Sequence, residues 1–127
     1  MSDGAQAVDD YIAATHPEFR AALNVLRIRI AAWLTQRGVA YEERVSYAMP
    51  GFQVQPERKM IAGYAAHKHA CGFDPHSGSI LRQVPELIGI RGHTKSALHF
   101  SDADPIPDAL LFAVLDLRLT EIRGAAS

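Results

Sequence analysis

The sequence predicts an α+β fold, a single domain in which an antiparallel sheet of about five strands is backed by N-terminal and C-terminal helices. Three observations carry this reading. Apolar residues recur at helical spacing before Gly38; short β-branched and aromatic runs divided by Pro, Gly and charged pairs fill the middle; a broad apolar helical pattern follows Pro107. With 127 residues, 48% of them apolar, the chain can bury one core and is too short for two. Residues 1–127 are therefore read as one domain.

Val8, Tyr11 and Ile12 are spaced for a short amphipathic helix that stops near Thr15-His16. Pro17 opens a second helix, where a missing N–H costs nothing, and Phe19, Leu23, Leu26, Ile30, Trp33 and Leu34 line its buried stripe up to the terminating Gly38. Strands are predicted over residues 41–47, 51–55, 59–66, 68–73 and 97–101. Turns fall at Gln55-Pro56-Glu57-Arg58-Lys59 and at Asp74-Pro75-His76-Ser77-Gly78, and Met49-Pro50 is read as a bend. Residues 79–90 are helical in pattern but contain Pro85, which implies two short turns or a restart. After the turn at residues 102–106, Leu110, Leu111, Val114, Leu115, Leu117 and Ile122 give the last helix an apolar surface wide enough to pack centrally on the sheet.

Thirteen basic and fourteen acidic residues are well mixed, so the net charge of −1 offers no footprint for nucleic acid or an anionic membrane. The single cysteine, Cys71, excludes an internal disulfide and a thiolate zinc cluster and fits a reducing compartment. No run has the length of a membrane span or a secretory core, so the expected location is cytoplasmic. Nucleotide-binding glycine fingerprints, nucleophile elbows and zinc-protease motifs are absent.

Polar residues inside the predicted strands carry the candidate chemistry. His67, His69 and Cys71 alternate, which on a strand puts them on one face about 6.6 Å apart in succession, close enough for His67 and His69 to share a divalent metal with further ligands from another strand or from His76 or Asp74, or else simply to line a half-exposed sheet face. Lys68 is the one cation in that apolar run; facing a pocket it would hold an anionic or carbonyl group, whereas facing solvent its stem would merely snorkel. Lys95, in the loop before the last strand, would add a second positive charge. Tyr47, Met49 and Phe52 around Pro50 would form a phenol-edged apolar wall, or else ordinary packing at a corner. Asp9 and Asp10, with Glu18 nearby, form an acidic helix end that would attract hydrated cations.

The segments Val8-Asp9-Asp10-Tyr11-Ile12, Ser46-Tyr47-Ala48-Met49-Pro50-Gly51-Phe52, Gly63-Tyr64-Ala65-Ala66-His67-Lys68-His69, Gly72-Phe73-Asp74-Pro75, Thr94-Lys95-Ser96-Ala97-Leu98-His99-Phe100 and Pro105-Ile106-Pro107 together resemble the YdhG-like domain family, long catalogued as a domain of unknown function. Some of its members are labelled iron chaperones by likeness to frataxin. The resemblance spans nearly the whole chain and departs from the family pattern at Ala70, where a histidine is usual. It implies an antiparallel sheet backed by helices and a cleft to which Tyr47, Met49, Phe52, Lys68 and Lys95 contribute. Iron is the candidate metal; since Lys68 would repel a cation, Asp9 and Asp10 would have to carry it.

The function expected is a non-enzymatic binding domain for a small anionic or polar molecule, or for iron. The alternatives are an enzyme using Lys68 as nucleophile or general base with Tyr47 or a histidine as proton partner, and a homodimeric interaction module joined through an edge strand.

Overall fold

The computed structural model describes residues 3–124. Helices α1 (Asp3–Ala14) and α2 (Pro17–Gln36) precede five strands, β1 (Tyr41–Ser46), β2 (Met49–Val54), β3 (Lys59–Ala66), β4 (Cys71–Asp74) and β5 (Leu98–Phe100). Between β4 and β5 the chain makes an excursion holding a 3-10 turn (Leu81–Gln83) and a one-turn helix, α3 (Pro85–Ile88); α4 (Asp108–Arg123) follows β5. The strands lie in chain order and every neighbouring pair is antiparallel. The fold is the α+β arrangement that the sequence predicts.

Local chemistry sets the helix limits. Pro17 sits in the first turn of α2, and at its other end Gly38 takes φ +68°, a conformation that suits a residue without Cβ. The backbone N–H groups of Arg37, Gly38 and Val39 then satisfy the carbonyls of Leu34 and Thr35. The predicted stripe of α2 is buried, from Leu23 through Leu26 and Ile30 to Trp33 and Leu34. Pro85 likewise starts α3, as a restart at proline requires.

One core unites Val8 and Ile12 of α1, the stripe of α2, and Leu110, Leu111, Val114 and Leu115 of α4 with Phe52, Tyr64, Phe73, Leu98 and Phe100 of the sheet. Because the helices share that cluster with one set of alternating strand residues, they cover a single face. A bulge opposite Phe52 turns both Ile61 and Ala62 into this core. At the rim, Arg27 of α2 donates Nε and Nη2 to the two oxygens of Glu43 on β1 (2.6 and 2.9 Å) and Nη1 to Asp9 of α1 (2.6 Å). The Glu43 bonds hold this guanidinium charged well above its ordinary range against the opposing effect of burial, and Asp9 adds to them.

Two expectations are corrected here. Residues 68–70 are not strand: β3 ends at Ala66, β4 begins at Cys71, and the His67 N–H closes the intervening turn on the carbonyl of Ala70 at 2.8 Å. A reversal between antiparallel neighbours needs at least two loop residues, and a strand starting at Lys68 would have left one. Met49-Pro50 is not a bend either. The reversal is made by Tyr47 and Ala48, both left-handed (φ 53° and 60°), so that Met49 and Pro50 start β2. Pro50 is tolerated there because the β2–β3 ladder begins one residue later, at Gly51.

The Tyr64 hydroxyl lies in this core with no hydrogen-bond partner among the described residues, and burial, reinforced by the Glu43 carboxylate, raises its pKa so that it stays a neutral phenol. Tyr64→Phe is expected to match or exceed wild-type stability, by up to about 1 kcal/mol, since it deletes an unsatisfied polar group. Leu111→Ala, in the same core, is expected to cost about 2–5 kcal/mol. Urea unfolding measures both; a clear loss for Tyr64→Phe would show that the hydroxyl is satisfied after all.

Candidate functional site

The face of the sheet turned away from the helices is built from different residues. Alternation places Met49 and Gly51 of β2, Gly63 and Ala65 of β3, Gly72 and Asp74 of β4 and His99 of β5 on it. Three of these are glycines, and loop side chains lie where Cβ atoms would otherwise stand. A Cβ on Gly72 would fall 3.0 Å from Nε2 of His67, and one on Gly63 would fall 2.6 Å from Nε2 of His76. The open face is thus roofed by imidazoles laid against glycine backbone.

Two hollows flank the loop that leads into β5. The smaller, about 370 Å³, is lined by Met49, His67, Gly72, Asp74, Thr94, Ser96, Ala97 and His99. The larger, about 600 Å³, lies between that loop and the 3-10 turn and α3; its apolar lining is Leu81, Pro85 and Ile88, and its polar lining is Arg82, His93, Thr94 and Lys95. Thr94 borders both. Its hydroxyl accepts the N–H groups of Ser96 and Ala97, a tight turn that leaves Lys95 at its exposed apex. Arg91 anchors the base of the loop, donating Nη1 to the carbonyls of His99 and Asp104 and Nη2 to the carboxylate of Asp104 and the carbonyl of Pro105.

The sequence candidates are dispersed. Lys95 lines the larger hollow, while Met49 and His67 line the smaller. Phe52 is fully buried on the helix side, packed edge-on against Tyr41, so it does not share a face with Met49. Tyr47 stands 88% exposed at its turn with its ring 6.3 Å from that of His76. Lys68 and His69 are exposed at the β3–β4 turn, and Lys68 makes no hydrogen bond among the described residues, so the snorkelling description suits it better than the pocket. Asp9 is engaged by Arg27, and Asp10 accepts from Gln6 at 2.9 Å. Among the described residues no group of three or more His, Cys, Asp and Glu side chains stands ready to hold a metal ion. Cys71 faces the core, and burial pushes its thiol up to about 11. Among the described residues no helix is long and apolar enough to cross a membrane.

Sequence reasoning missed His99, Arg82 and His93. His99 was open to detection, since Leu98-His99-Phe100 alternates apolar, polar, apolar and the two flanking side chains are buried. Arg82 gave no signal, because only the folded excursion brings it beside Lys95, whereas His93 stands two residues before Lys95 in the sequence and was within reach of the reading.

His76 has a left-handed backbone (φ 58°) stabilised by the 2.7 Å bond from its N–H to the Asp74 carboxylate. Burial lowers its pKa, with Asp74 opposing and Arg118 adding to the shift. The neutral imidazole is therefore the form that the fold favours. As the pH drops through about 6.5, the unfolded chain takes up a proton that the folded chain resists, and stability is lost down to the lowered folded pKa. Urea unfolding between pH 7 and pH 5 is expected to show a steeper loss for wild type than for His76→Asn, which tolerates the same backbone conformation. Parallel curves would contradict this assignment.

No protein-family model matches the chain, and no curated protein matches it in sequence. Among solved structures it is similar to a protein of the DUF1801 family, YdhG, from Bacillus subtilis, with a TM-score of 0.66 at 13% identity, covering 93% of this chain and 92% of that one. The fold of this chain is accordingly YdhG-like over nearly its whole length.

Proposed function

We propose that the domain binds a small anionic molecule with an apolar body, without catalysing its conversion, in the hollow between α3 and the loop that carries Lys95. One observation carries this reading: the hollow is edged by two cations without counter-charges. Most arginines of the chain face a carboxylate, Arg29 and Arg118 among them, yet Arg82 and Lys95 have no ion-pair partner among the described residues, and no Asp or Glu is in the lining. Unpaired cations beside a surface of Leu81, Pro85 and Ile88 suit a carboxylate attached to a hydrocarbon, the charge meeting Arg82 and Lys95 and the chain meeting the apolar wall. A volume of about 600 Å³ admits a molecule of metabolite size.

The enzyme alternative has less behind it, because Lys68 stands exposed at a turn and makes no hydrogen bond among the described residues. Iron handling, suggested by the family label, would have to draw on Asp9 and Asp10, and Asp9 already holds Arg27.

Calorimetric titration with straight-chain carboxylates from acetate to octanoate, alongside the matched alcohols, tests the reading. Affinity is expected to rise with chain length for the acids only, and Lys95→Ala and Arg82→Ala are each expected to weaken it roughly tenfold, the scale of one charge-assisted hydrogen bond. Lys68→Ala should bind as wild type does. Acids that bind no better than alcohols, or ferrous iron that binds and is lost in an Asp9→Ala/Asp10→Ala variant while no acid binds, would overturn it.

A further inference from the structure

Gly51 of β2 and Gly63 of β3 are register partners on the open face, and three side chains converge over them from three directions. A Cβ placed on Gly63 would fall 2.6 Å from Nε2 of His76 and 3.4 Å from the Cε methyl of Met49. A Cβ on Gly51 would collide with the carbonyl of Ala62 and stand 2.8 Å from the Cε methyl of Met60 and 3.0 Å from the Cα of Gly63. Met49 thus reaches along the sheet from one side of the glycine pair, Met60 from the other, and His76 crosses from the loop after β4. Apart from Met1 these are all the methionines of the chain.

We propose that Met49, Met60 and His76 form a binding site for a soft monovalent metal ion, Cu(I). Thioethers and imidazole are neutral donors, and thioethers select Cu(I) over the harder divalent ions that prefer carboxylate oxygen. Nε2 of His76 is buried and has no hydrogen-bond partner among the described residues, an arrangement that costs stability unless something accepts its lone pair. A metal ion does so.

The surrounding charges discriminate in the same direction. Arg118 lies close enough to oppose protonation of His76, but its own charge is offset by Glu121 at 2.7 Å and its Nε and Nη2 are committed to the carbonyl of Met60. Its repulsion falls twice as heavily on a divalent ion as on a monovalent one. Asp74, the nearest carboxylate in sequence, has Oδ1 occupied by the His76 N–H, and no cluster of hard donors completes a divalent site among the described residues. This site shares no residue with the lining of the hollow proposed for anions, so either proposal stands or falls without the other.

Anaerobic titration against a chromophoric Cu(I) chelator under reducing conditions tests it, with X-ray absorption to read the ligand atoms. Wild type is expected to take one equivalent with mixed sulfur and nitrogen ligation. Met49→Leu and Met60→Leu, swaps that preserve volume and apolarity, are each expected to lower affinity at least tenfold, and His76→Asn to remove the nitrogen signal. Far-UV circular dichroism confirms that each variant is folded; if one is not, the remaining two carry the comparison. Three results would overturn the proposal: no chelator-competitive binding by wild type, affinity unchanged in the Met49→Leu/Met60→Leu double variant, or affinity that survives there but is lost in Cys71→Ala or in His67→Ala/His69→Ala.

Discussion

The open face of the sheet depends on the absence of side chains at Gly51, Gly63 and Gly72. A glycine inside a strand costs roughly 0.5–1 kcal/mol relative to alanine and offers nothing to pack. In this sheet it provides thickness: where a Cβ is missing, the rings of His67 and His76 and the methyl groups of Met49 and Met60 settle directly on the backbone. A Cβ at Gly63 would displace His76 from its position beside Tyr47, and one at Gly72 would press on His67. The two imidazoles of that face are each placed by a neighbouring side chain that is not there.

The helix side is governed by the opposite condition, the burial of large side chains. Phe52, Tyr64, Phe73 and Trp33 are nearly or fully buried, and the charges around that core are settled in pairs at its edge, as where Arg27 joins α1, α2 and β1 through Asp9 and Glu43. Arg37 completes the rim by lying 4.1 Å over the Trp33 ring. Unpaired cations therefore mean more at the larger hollow than they would on an ordinary surface. Most guanidinium groups of the molecule are neutralised internally, whereas Arg82 and Lys95 have no ion-pair partner among the described residues.

How much of this the sequence disclosed depends on the range of the interaction. Helix α2 was legible because Pro17, an unbroken apolar stripe and Gly38 each act within a turn or two, and the restart at Pro85 was legible for the same reason. Turn chemistry defeated the reading twice. Tyr47-Ala48 carries neither the glycine nor the asparagine that normally marks a left-handed pair, and the alternation His67, His69, Cys71 runs through a turn as though it were strand. The cleft proposed around Lys68 inherited that second error. Met60 and His76 are sixteen positions apart in the sequence, and only a bulge, two glycines and an Asx-type turn bring them together, so no local pattern announces them.

Sheet order equal to chain order has a kinetic side. The β1–β2, β2–β3 and β3–β4 pairs each close over a few residues, a topology of short-range contacts that assembles quickly. Only β5 must wait, because residues 75–97 intervene before it docks through three register pairs to β4. The larger hollow and His76 belong to that late segment, and the smaller hollow takes Thr94, Ser96 and Ala97 from it. Its transient release would leave β1–β4 and their hairpins standing, so a guest could enter or depart by partial unfastening of the last strand, a breathing motion that amide exchange would resolve separately from global unfolding.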